Sequence, residues 1–136
     1  MAELKLAITD QDDLTILSAL LQDATVLIGD MGYDADMGQF MMVAARYIDD
    51  GGEDGKKRCL MGLNFDGISR LRRRGFSPND RDTVLNLLAI RSNHPNIELV
   101  FSGEAILRLE CEAIKVYAAD LGEGWTTRFS PNHNPS

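Results

Sequence analysis

The chain has 136 residues, 44% hydrophobic and 26% charged, with 21 Asp and Glu against 14 Lys and Arg for a formal net charge of −7. This is one domain of ordinary globular composition, which excludes a disordered or fibrous chain. No apolar run approaches the roughly 18–20 residues of a membrane span, so no membrane is expected, and the acidic balance argues against nucleic acid as a partner.

Met1 to Leu6 lacks the basic-then-apolar pattern of an export signal. With only two cysteines, Cys59 and Cys111, a reduced cytoplasmic protein is expected. Leu4, Leu6 and Ile8 alternate with Lys5, Ala7 and Thr9, which predicts a short strand with one buried face. Asp10 followed by Asp13 approximates a capping box. Leu14, Leu17 and Leu21 then fall at helical spacing, so residues 11–22 are expected as a helix.

From residue 24 the period becomes that of strands. Residues 24–32 and 39–48 form two such runs around the turn-like Asp34-Ala35-Asp36-Met37-Gly38. The second run is apolar on both faces and is expected to be central or covered. Asp49 to Gly55 reads as an acidic surface loop. Cys59, Met61, Leu63 and Phe65 alternate with more polar or smaller neighbours, and Gly67 interrupts the pattern with a bulge or bend.

Ser77-Pro78-Asn79-Asp80 is a turn. Further strands are expected over residues 83–91, 97–101 and 107–113, with a turn at His94-Pro95-Asn96. Ile114, Tyr117, Ala118 and Leu121 fit one helical face, and Gly122 fits its C-cap, which predicts a closing helix. The expected fold class is α+β: a mainly antiparallel curled sheet or partly open barrel, with an N-terminal and a C-terminal helix. Residues 1–122 would form one domain and 123–136 an irregular tail. Such a layout resembles a pleckstrin-homology-like barrel, an analogy that supplies no function.

The chain also resembles a family of uncharacterised bacterial proteins, a domain of unknown function. The resemblance rests on Asp13 to Ala24, Leu87 to Arg91, Leu107 to Cys111, and Asp120-Leu121-Gly122 followed by Trp125. It spans nearly the whole chain and implies no activity and no catalytic residue.

One feature points outward. Half of the Lys and Arg residues lie between Lys56 and Arg74, against the single carboxylate Asp66. Lys56, Lys57 and Arg58 close the acidic loop, whereas Arg70, Arg72, Arg73 and Arg74 form a separate patch beyond Gly67. On a strand, Arg70, Arg72 and Arg74 would share one face and Arg73 the other. Guanidinium forks suit carboxylates and phosphates; a charged strand end also discourages edge pairing. Arg81 and Trp125 are the other candidate binding residues; Trp125 can pack back on the domain or meet another chain.

Other chemistry fits poorly. Calcium-loop frames begun at Asp34 or Asp50 place Gly38 or Gly52 where an oxygen ligand belongs. Cys59 and Cys111 read as core thiols and, with His94 and His133, have no zinc-site spacing. No nucleophile motif accompanies the histidines, and Gly122-Glu123-Gly124 is no dinucleotide fingerprint. No metal, cofactor or catalytic residue is expected. The expected function is a non-catalytic binding or accessory domain whose arginines contact a small anion, an acidic protein partner or a second copy of the chain. The alternative is a small enzyme, or an enzyme's accessory subunit, acting on an anionic metabolite.

Overall fold

The computed structural model describes residues 4–48 and 57–121. The acidic loop and the 123–136 tail with Trp125 lie outside them. The first elements are strand β1 (Lys5–Ile8), helix α1 (Gln11–Leu20), and strands β2 (Thr25–Leu27), β3 (Gly32–Asp34), β4 (Gln39–Ile48) and β5 (Lys57–Phe65). Then follow β6 (Ile68–Arg74), β7 (Val84–Asn93), β8 (Asn96–Phe101), β9 (Ala105–Cys111) and β10 (Val116–Asp120). Every pairing is antiparallel along the order β1-β10-β5-β4-β2-β7-β8-β9-β6, with β3 added to β4. The path starts at β1 and stops at β6, so the sheet curls around its core without closing.

Alternation of apolar residues sets the inner face. Met61, Leu63 and Phe65 of β5 and Leu107, Leu109 and Cys111 of β9 are buried in one cluster with Phe40, Met42 and Phe101. The Phe40 and Phe65 rings pack in a tilted pair, centroids 5.9 Å apart. Strand β4 is central as expected, with β5 along one side and β2 and β3 along the other.

Helix α1 begins where its cap residue predicts: the Asp13 amide donates to Asp10 Oδ1 at 2.8 Å. Its Leu14 and Leu17, with Leu21 at the C-cap, are buried. The helix rests beside β7, whose initial residues pair β2 while the rest pairs β8. The Ile90 amide of β7 donates to Ser18 Oγ at 2.8 Å, so the helix satisfies a strand group there.

Three expectations are corrected. Residues 24–32 do not form one strand, because Ile28–Asp30 is a 3-10 turn between β2 and β3. Its backbone turns to the 81–83 segment: Ile28 N donates to Thr83 O and Gly29 N to Arg81 O, both at 2.9 Å. Gly67 is more than the bulge or bend expected within one run, because it separates two strands. Gly67 takes φ +72°, open to glycine, and sends the chain from β5, beside β4, to β6, beside β9.

The expected C-terminal helix is strand β10. Val116 and Ala118 are buried while Tyr117 is 48% exposed, a two-residue period. The 3.6-residue pattern at Ile114, Tyr117, Ala118 and Leu121 was coincidental. Strands β1 and β5 both pair with this segment, and two open strand edges outweigh a weak helical preference.

Candidate functional site: the arginine-bearing edge

Strand β6 is the last in the sheet and, among the described residues, pairs only with β9. Arg70, Arg72, Arg73 and Arg74 are all exposed on it. Its register places Arg70 opposite Glu110, Arg72 opposite Arg108, Arg73 opposite Leu107 and Arg74 opposite Ile106. Leu107 and Leu109 face the core, so Arg73 shares the inner face with Leu71, and Arg70, Arg72 and Arg74 share the outer one.

The outer face carries more charge than the arginine run alone. Cross-strand partners form a row from Arg91 on β7 through Glu98 on β8 and Arg108 on β9 to Arg72 on β6. Glu98 is only 2% exposed. Its Oε1 accepts from Arg91 Nε at 2.8 Å and its Oε2 from Arg108 Nε at 2.9 Å. The hydrogen bond from Arg91 holds the Glu98 carboxyl below its ordinary pKa; burial opposes this, and Arg108 reinforces it. One buried carboxylate thus fixes two guanidiniums whose side chains remain 58% and 37% exposed. Arg72, Arg73, Arg74 and Arg108 line a shallow depression of about 100 Å³ with Ile106.

A second cavity opens at the seam between edge strand β6 and strand β3, beside the 76–81 segment. After β6, Gly75 adopts φ +88°, and a Cβ there would lie 2.8 Å from both Ala105 Cα and Glu104 O. This close passage directs Phe76 against Phe101 in an edge-on contact, centroids 6.1 Å apart. The expected turn follows: Asp80 N donates to Ser77 O at 3.0 Å, and Asn79 N to Ser77 Oγ at 3.1 Å. It delivers Arg81, whose Nη2 lies 3.5 Å from Gly29 O. Arg73, Arg81, Tyr33, Phe40 and Phe76 line the resulting cavity of about 110 Å³.

The structure therefore divides the candidate residues. Arg72 and Arg74 meet on the outer face, Arg73 lines both that depression and the seam cavity that Arg81 also lines, and Arg70 stands opposite a carboxylate. Trp125 lies outside the described residues. Glu98, Arg91, Arg108, Tyr33 and Phe76 were missed. Arg91-Ser92 and Arg108-Leu109-Glu110 look like any solvated strand face, and their convergence depends on register.

The other cavities are distinct. A groove of about 400 Å³ runs over β1, β10 and β5 beside Ala7, Gly62, Asn64 and Tyr117, and none of the arginines lines it. His94 and Cys111 line a depression of about 240 Å³. Burial, aided by Glu112, pushes the Cys111 thiol pKa up, which keeps it protonated and poorly nucleophilic. Cys111 is a core thiol as expected, whereas Cys59 is half-buried. No helix among the described residues is long and apolar enough to cross a membrane.

A family model described as a protein of unknown function, DUF2948, matches residues 4–133. The chain belongs to that family. No curated protein and no solved structure matches it.

Proposed function

Because membership of this family carries no activity, we propose from the geometry that the protein is a non-catalytic binding domain. Its outer β6–β9 surface takes a carboxylate-rich protein segment. The observation that carries this reading is the Arg91–Glu98–Arg108 clamp with Arg72 next in the row. Guanidiniums fixed before binding lose less freedom when they engage an anion. Neighbouring strands are about 4.8 Å apart and alternate residues about 6.7 Å, so Arg72, Arg74 and Arg108 present a patch that an extended acidic chain can follow.

The low cysteine count supports a cytoplasmic setting for this contact. A pleckstrin-homology-like relationship is favoured by the curled antiparallel sheet, although a strand at Val116–Asp120 occupies the place of the closing helix.

The test is a fluorescence-anisotropy titration with a labelled oligoglutamate peptide at low and physiological salt. Binding should weaken with salt, since exposed charges are screened beyond about 8 Å at physiological ionic strength. Replacing Arg72 and Arg74 together by Ala should weaken it at least tenfold, and Arg58→Ala on β5 should leave it unchanged. No binding at low salt, or equal loss with Arg58→Ala, rejects the surface.

A further inference from the structure

We propose that the seam cavity is a separate site for one compact oxyanion, a carboxylate or phosphate group on a short apolar stem, held between Arg73 and Arg81. The two arginines come from different segments: Arg73 from the inner face of edge strand β6, and Arg81 from the end of the Ser77–Asp80 turn. Both line the same cavity, and no carboxylate is among its described lining residues.

Two like charges lining one recess repel. An oxyanion between them converts that cost into charge-assisted hydrogen bonds, two from each guanidinium at best. An inward charge on an edge strand also blocks strand-to-strand association. That role requires Arg73 alone and does not account for Arg81 beside it.

Arg81 is held in place by its backbone. Gly29 N donates to Arg81 O at 2.9 Å, and Arg81 Nη2 reaches back to Gly29 O at 3.5 Å. Tyr33 adds a phenol able to donate a further hydrogen bond. The remaining wall is apolar, with Ile28, Met31, Phe40 and Phe76. A volume of about 110 Å³ lies well below the roughly 300 Å³ at which sites for drug-sized ligands begin. The cavity suits a charged head and a few carbon atoms, and a nucleotide or an extended peptide would not enter it.

This site does not rest on the outer-face reading, and different substitutions separate them. Calorimetric titrations with benzoate, phenyl phosphate, inorganic phosphate and uncharged benzyl alcohol test it directly. At least one aryl anion should bind at or below about 1 mM, more tightly than inorganic phosphate, and benzyl alcohol should not bind. Benzoate against phenyl phosphate distinguishes a carboxylate from a phosphate head. Arg73→Ala and Arg81→Ala should each weaken the preferred anion at least tenfold, while Arg81→Ala, which leaves the β6–β9 depression intact, should bind the oligoglutamate peptide as the wild type does. Arg73→Lys, which keeps the charge and loses the fork, should fall between; it also serves if Arg73→Ala does not fold. Absence of binding by every anion, or equal binding by wild type and a folded Arg73 or Arg81 variant, overturns the proposal.

Discussion

Glu98 has almost no solvent contact, yet its folded-state pKa lies below its ordinary value because Arg91 and Arg108 stabilise the carboxylate. Such a group stabilises the fold above its unfolded pKa of about 4.3 and loses that contribution as pH falls through the lower folded value. Glu98→Gln should therefore reduce stability at pH 7 by about 1–2 kcal/mol, discounted because both arginines are partly exposed. Urea titrations at pH 7 and pH 3 check this: the gap between variant and wild type should shrink at the lower pH. Gly75 makes a different residue-scale case. A methyl there meets main-chain atoms at 2.8 Å and inherits a strained positive φ. Gly75→Ala should cost roughly 2–4 kcal/mol. Gly67→Ala, with open space around its Cβ, should cost only about 1–2 kcal/mol. Thermal or urea unfolding of both variants tests the ordering, which reverses if the passage beside Ala105 relaxes easily.

At the scale of elements, α1 and β7 depend on one side chain that composition does not reveal. Strand β2 pairs with β7 over Val84–Asn86, and further along the Ile90 amide is met by Ser18 Oγ. Ser18→Ala should leave that amide without its partner and cost about 1–3 kcal/mol. Hydrogen exchange should show Ile90 losing protection before Leu99 opposite it; unchanged protection would show that another group takes the hydroxyl's place. The same scale explains what the sequence could convey. Helix α1 was legible because Asp10, Asp13 and the leucines give mutually consistent cap and period signals. Strand β4 and the bend at Gly67 were legible for the same reason. Strand β10 was not, because both periods fit its few residues and its strand partners, Lys5–Ile8 and Met61–Phe65, are remote in sequence. The split of the arginines was half legible: alternation separates Arg73 from Arg70, Arg72 and Arg74, but only cross-strand register brings in Arg108, Glu98 and Arg91.

Across the whole molecule, the sheet unites distant parts of the chain at a junction around Asp120. Its carboxylate lies 3.2 Å from Arg46 Nη2 on β4, and the Leu4 amide donates to Oδ2 at 3.1 Å. One side chain thereby ties together the start of β1, the end of β10 and the middle of the sheet. Both ionic side chains are largely shielded, at 14% and 18% exposure. Removing either partner leaves the other's charge poorly solvated, a loss larger than the pair's net contribution. Asp120→Ala should destabilise the protein by roughly 2–4 kcal/mol, and hydrogen exchange should show β1 and β10 opening earlier than β8 and β9. The Arg46→Met, Asp120→Leu double variant removes both charges together, so it should recover much of that stability. A double variant as unstable as the sum of its singles would mean that the two residues act independently, and that packing rather than the ion pair holds the first and last described strands together.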